Sequence, residues 1–156
     1  MSSRDRFTDE EWSALALGPA SAAGAMMATS HPGLLGIVKE MHAGLKAIKE
    51  EAPSGPAGEL VRELIGFAEA HDDLGKSLET GGDDSEAIRA AALETLDQSG
   101  AAAAKLSPEE LDGYVGWLVG VASSMAEAAS DRGESVSVSD AESQTLSEIE
   151  RRLRRE

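Results

Sequence analysis

Histidine and carboxylate side chains are the groups in this sequence best suited to bind a metal ion or to transfer a proton. Two histidines each follow a glutamate by two positions, in the pairs Glu40/His42 and Glu69/His71. Metal sites in helical bundles use a Glu-x-x-His pair, whose two members lie on the same face of a helix. A spacing of two places the members of each pair on different faces. We therefore expect no bound metal and no other cofactor.

A second metal interpretation depends on how the predicted helices pack. If the helices that carry His42 and His71 are neighbours, the two imidazoles can gather a divalent ion with nearby carboxylates. The available carboxylates are those of Glu40, Glu63 and Asp72. The competing explanation is that both histidines lie at the boundary of an apolar stripe with one nitrogen solvated.

The other common catalytic patterns are missing from the sequence. There is no cysteine, which excludes thiolate catalysis, disulfide bonds and cysteine-ligated zinc. No serine lies in a Gly-x-Ser-x-Gly turn, and no glycine-rich loop carries a phosphate-binding lysine. We therefore expect a protein that is not an enzyme and has no catalytic residue. A small hydrolase or ligand-binding bundle stays an alternative, because a pocket between helices of small residues leaves no motif.

Acidic residues dominate the charge of the chain. Lys and Arg total 14 and Asp and Glu total 29, so the formal net charge is −15. Such a charge repels phosphate backbones and anionic lipid head groups, and we expect neither a nucleic acid nor a membrane partner. A basic cluster at Arg151, Arg152, Arg154 and Arg155 is interpreted as cations that offset the dipole of a helix end.

The acidic composition and the first residues predict the cellular environment of the protein. Few large aromatics and many carboxylates are typical of halophilic proteins, although an ordinary acidic protein fits the composition as well. The opening residues 1–11 lack the positive and apolar regions of a secretion signal. We therefore expect a cytoplasmic protein whose residues 1–6 are disordered.

Two matching segments, residues 7–12 (Phe-Thr-Asp-Glu-Glu-Trp) and 106–111 (Leu-Ser-Pro-Glu-Glu-Leu), indicate where the main helices begin. In each, a hydroxyl residue is followed three positions later by a glutamate, which is the pattern of a capping box. A stretch almost free of charge follows both segments. The sequence therefore predicts two central helices of small residues, at about 9–28 and 108–129, and hints at an internal duplication.

Apolar periodicity places further helices around this central pair. One begins near Pro32 and ends before residues 53–56, and the next covers about 57–74. Another covers about 85–98, with Gly100 as a left-handed C-cap and residues 101–104 unassigned. The last opens with a capping box at residues 139–142. The predicted fold is all-α, with about six helices in a single compact bundle that forms one domain over residues 1–156.

Glycines inside the two central helices suggest close contact with another helix. Each costs about 1 kcal/mol relative to alanine, which close approach of a second backbone can offset. One explanation is an interface with a second copy, giving a homodimer, or with another protein. The residues predicted for this interface are Trp12, Met26, Met27, Gly116, Trp117 and Gly120. The other explanation is that both helices are central to the core of a monomer.

Most of the chain resembles an uncharacterised family of small all-α prokaryotic proteins. The resemblance lies in residues 7–12, in Gly18-Pro19 and His31-Pro32-Gly33, and in the segment from Tyr114 to Glu142. It implies a small helical protein and carries no activity.

The last third of the chain is also distantly similar to a turn of tellurite-resistance TerB-like domains, Ala-x-x-Asp-Gly-x-Val-Ser-x-x-Glu. The similar segment is residues 129–142, in which Arg132 interrupts the Asp-Gly step and a longer insertion follows. TerB-like domains are all-α and implicated in metal-related stress. The resemblance implies an alternative function, a metal-responsive stress protein that binds divalent ions weakly, either through Asp131, Glu134 and Glu142 or through the His42/His71 pair.

Overall fold

The computed structural model describes residues 3–30, 46, 48–50, 53, 55–70, 85–130 and 140–155. All regular structure in these residues is helical, which confirms the prediction of an all-α fold. A 3-10 helix, Ser3–Arg6, precedes five α-helices. These are α1 (Asp9–Ser30), α2 (Pro56–Ala70), α3 (Ser85–Ala103), α4 (Pro108–Ser130) and α5 (Asp140–Arg154). Residues 46 and 48–50 are helical and agree with the end of the helix predicted from Pro32, whose first part lies outside the described residues.

The two predicted central helices begin at the two predicted capping boxes. The backbone N–H of Glu11 donates to the Thr8 hydroxyl at 3.2 Å, and the Thr8 N–H donates back to the Glu11 carboxylate at 2.9 Å. Ser107 and Glu110 repeat this pair of bonds at 3.2 and 3.4 Å. Both boxes are therefore confirmed, and each satisfies backbone donors that a helix start leaves free.

Helix α1 lies at the centre of the described bundle. It contacts every other described α-helix, most extensively α3, while α4 packs against α1, α2 and α5. The largest side chains that are fully buried come mainly from α1 and α4: Trp12, Leu15, Met26, Tyr114, Trp117, Leu118 and Met125. The hydrophobic core of the described residues therefore lies around the two small-residue helices, as the sequence predicts.

The end of α3 differs from the prediction at Gly100. The helix continues through this glycine to Ala103, so Gly100 is not a left-handed C-cap. A Cβ at this position would overlap the carbonyl oxygen of Arg152 and would lie 3.2 Å from the Cα of Leu153. Gly100 is thus a point of close backbone approach between α3 and α5, and the tight contact explains why no side chain is present.

The first residues, expected to be disordered, form the 3-10 helix Ser3–Arg6 in this structure. This short helix contacts α2. Arg4 pairs with Asp9 at 2.8 Å, and its guanidinium lies 5.0 Å from the centre of the Phe67 ring on α2. Ion pairs and cation–π contacts therefore attach the start of the chain to the bundle.

Candidate functional site

A buried polar junction forms where Pro19 interrupts the hydrogen bonding of α1. Proline has no N–H, so the carbonyl of Leu15, four residues earlier, loses its usual helical donor. The hydroxyl of Tyr114 on α4 donates to this carbonyl at 2.7 Å, and its side chain is completely buried. Helix α1 therefore continues through the proline because the other central helix supplies the missing donor.

Gly18 and Ser99 complete this junction from α1 and α3. A Cβ on Gly18 would overlap the Tyr114 hydroxyl and would lie 2.8 Å from the Cδ2 of Leu118. The buried hydroxyl of Ser99 donates to the carbonyl of Ala14 at 2.6 Å. Three helices thus meet at one point through two hydroxyl groups, and the absence of a side chain at residue 18 makes room for the tyrosine.

The chemistry available at the junction is limited by its burial. Removal from water raises the pKa of Tyr114, and the nearby Ser99 hydroxyl opposes this shift only in part. The phenol therefore stays neutral and acts as a hydrogen-bond donor, with no contact with solvent. Together these properties favour a structural role for the junction over acid–base catalysis.

Three of the predicted interface residues lie in the core of the chain itself. Trp12, Met26 and Trp117 are at most 2% exposed. The indole N–H of Trp117 also donates to the carbonyl of Ile48 at 2.9 Å. The placement of these three side chains agrees with the second explanation offered by the sequence, in which α1 and α4 are central to the monomer.

The remaining predicted interface residues differ in position. Gly116 is exposed on α4, and a Cβ added there would meet no atom within 4 Å. Gly120, one turn later, is half-buried, as are Val119 and Ser123 beside it. The side chain of Met27 lies outside the described part of the structure. Of the predicted interface, α4 therefore retains at the surface one exposed glycine, Gly116, beside uncharged residues that are half-buried.

The metal interpretations fall mainly on residues that the structure does not describe. His42 and His71 lie outside the described residues, as do Glu40, Asp72, Asp131 and Glu134. Glu142 is buried in α5. Among the residues that are described, no group of three or more His, Asp or Glu is placed to hold a metal ion.

Reciprocal ion pairs connect the two capping boxes, and sequence reasoning missed them. Arg6 pairs with Glu110 of the second box at 2.5 Å, and Lys105 pairs with Glu11 of the first box at 2.7 Å. Each basic residue lies two positions before its own capping hydroxyl, so the two halves of the arrangement match. The hydrogen bond from Lys105 lowers the pKa of Glu11, and the bond from Arg6 lowers that of Glu110.

The arginines at the end of α5 also form pairs with other helices. Arg152 binds Asp97 on α3 at 2.7 Å, and Arg154 binds Asp112 on α4 at 2.9 Å. From the sequence we interpret this basic cluster only as cations that offset the helix dipole, and we do not predict ion pairs with other helices. Several arginines close together on one helix are a sequence feature that could have suggested such pairs. The cluster therefore ties α5 to two neighbouring helices.

Comparisons with known protein families, with curated proteins and with solved structures found no match for this chain. In the described part of the chain, no helix is long and apolar enough to cross a membrane. Function therefore has to be inferred from the contacts, burial and charge of the described residues.

Proposed function

We propose that this protein acts by association rather than by catalysis, and that its partner is a second copy of the same chain. The observation that supports the proposal is the exposed Gly116 in the middle of α4. A glycine inside a helix costs about 1 kcal/mol relative to alanine. Gly18, Gly100 and Gly113 each lie where an added Cβ would overlap an atom of another helix. Gly116 has no such neighbour among the described residues, and a partner helix on this face would supply one. Gly66 on α2 is open in the same way, but it lies one turn from Arg62 and from Glu69, whereas Gly116 lies in an uncharged stretch.

Charge favours a second copy on this particular face. Helix α4 has no charged residue from Gly113 to Ala126, whereas the whole chain carries a formal charge of −15. A two-fold interface places the same surface on both subunits, so an acidic face would oppose carboxylates to carboxylates. The uncharged stretch around Gly116 avoids this repulsion and allows two backbones to approach closely.

The same charge makes the proposed association depend on salt. Two copies of an acidic chain repel each other at distances beyond their contact, and at 0.1 M ionic strength salt screens the repulsion between charges more than about 10 Å apart. The dimer should therefore become tighter as salt increases. We further propose a salty cytoplasm as the setting, which the excess of acidic residues supports.

The test compares the oligomeric state of the natural protein with that of Gly116→Arg. Arginine is a better helix former than glycine, and the site is open, so the variant should keep its helical content. We expect sedimentation to show a dimer for the natural protein and a monomer for the variant. Gly66→Arg on α2 is the matched control, because Gly66 is also exposed without a neighbour within 4 Å.

Two results would count against the proposal. The natural protein would be monomeric at all protein and salt concentrations, or Gly116→Arg would dimerise as well as Gly66→Arg. In the second case the dimer would exist, but another face would form it.

A further inference from the structure

The surface formed by α3 and α5 has two open depressions that meet at Arg89. Their volumes are about 490 and 480 Å³, and Arg89 lines both. The second depression is otherwise lined by α5 alone, through Ser143, Gln144, Ser147, Glu148 and Arg151. We call this second depression the Arg89 depression.

Arg89 differs from the other arginines at this surface. Arg151 and Arg152 both form ion pairs with Glu148, and Arg152 also pairs with Asp97. Arg89 is half-buried, and no carboxylate of the described residues forms an ion pair with it within 4 Å, although its charge contributes to the lowered pKa of Glu148. Arginine presents five N–H donors in a planar fork, so Arg89 retains donors for an anionic group.

Local charge at the depression is opposite to that of the chain. The carboxylate of Glu148 is held by Arg152 and Arg151, and the hydrogen bond from Arg152 lowers its pKa. Among the described residues, Glu148 is the only acidic one that lines the Arg89 depression. The lining of the Arg89 depression thus holds two arginines and one glutamate, a formal charge of +1, while Arg152, Glu94 and Asp97 line the adjoining depression.

We propose that the Arg89 depression binds a phosphate group of a small molecule. Arg89 and Arg151 offer charged donors, and Ser143 and Ser147, one helical turn apart on α5, offer hydroxyl donors. The amide of Gln144 adds a further donor. Five donor side chains of three kinds suit the several oxygens of a phosphate better than the two oxygens of a carboxylate. A nucleic acid backbone is excluded as the ligand, because its other phosphates would be repelled by the acidic residues outside the depression.

The test is calorimetric titration of the full chain with inorganic phosphate, with chloride added to keep the ionic strength equal. We expect saturable binding that Arg89→Gln weakens by roughly tenfold or more, because charge-assisted hydrogen bonds are lost. Arg89→Lys keeps the charge without the fork and should give intermediate binding. Arg62→Gln on α2 is the control and should bind as the natural protein does, since Arg62 is exposed and lines neither depression.

Circular dichroism of each variant establishes that the fold is retained. No saturable heat with phosphate would overturn the proposal, and so would equal binding by Arg89→Gln and the natural protein. A parallel titration with malonate separates the two anion chemistries. Malonate binding as tight as that of phosphate would overturn the assignment to a phosphate group.

Discussion

Replacement of Tyr114 by phenylalanine removes one oxygen atom from a fully buried ring and leaves the carbonyl of Leu15 without a donor. The ring itself is unchanged, so the packing around it should persist. An unsatisfied buried acceptor costs about 1–3 kcal/mol. We therefore expect the free energy of unfolding to fall by about 2 kcal/mol. For a chain of this length, that loss corresponds to a decrease of roughly 4–8 °C in melting temperature.

A double-mutant cycle with Pro19→Ala tests whether the proline is the reason for this cost. Alanine at residue 19 has an N–H that can donate to the Leu15 carbonyl, so the tyrosine hydroxyl is no longer its sole donor. In that background Tyr114→Phe should cost less, with a coupling energy of about 1 kcal/mol. Pro108→Ala is the matched control, because Pro108 is the first residue of α4, where a missing N–H breaks no helical bond.

Urea denaturation followed by circular dichroism measures all six proteins of this design. The reasoning is refuted if Tyr114→Phe costs less than about 0.5 kcal/mol, which is the usual size of a neutral surface change. It is also refuted if the cost is equal in the Pro19→Ala and Pro108→Ala backgrounds. Either result would mean that the hydroxyl of Tyr114 does not replace the missing backbone donor.

Three further predictions concern the contacts between helices. Gly100→Ala should destabilise the protein by about 1–3 kcal/mol, because the added methyl group meets the backbone of α5. Gly66→Ala should stabilise it by up to about 1 kcal/mol, because Gly66 lies on an open surface. Thermal melts distinguish the two variants. Folding lowers the pKa of Glu110, so this group stabilises the folded state at pH values above its unfolded pKa of about 4.3. The stabilisation is lost as the pH falls through the lower pKa that Glu110 has in the folded state. Glu110→Gln and Arg6→Gln should therefore both flatten the decrease in stability below that pH, as acid titration of unfolding would show, and an unchanged slope would contradict the pairing. Among the described residues, the buried hydroxyl of Ser21 has no hydrogen-bond partner, so Ser21→Ala should raise the free energy of unfolding by about 1 kcal/mol. A lower stability of this variant in urea would contradict the prediction.

The helix starts were predictable because all of their determinants lie within a few residues of each other. Thr8 and Glu11, like Ser107 and Glu110, bond across three positions, so the pattern is complete in the sequence. The second partner of each glutamate was not predictable in this way. Arg6 and Lys105 reach the glutamate of the other capping box only because the two helix starts are adjacent in the bundle.

The glycines show the same division between local and distant causes. Gly100 follows a helical pattern and precedes four alanines, so the sequence alone favours a C-cap there. In the structure α3 continues past it, because the missing side chain is required by α5 rather than by a turn. A local pattern cannot distinguish these two uses of glycine, since both depend on the absence of a Cβ.

The sequence by itself determined the helical class of the described fold and the starts of its two central helices, because caps and apolar periodicity act over three or four positions. The tertiary structure decided how α1 survives Pro19, which residues form the core, and which glycine is left at the surface. The donor for the Leu15 carbonyl comes from Tyr114, 99 residues away in the chain. Such partners are set by how helices pack, and no spacing within a single helix encodes them.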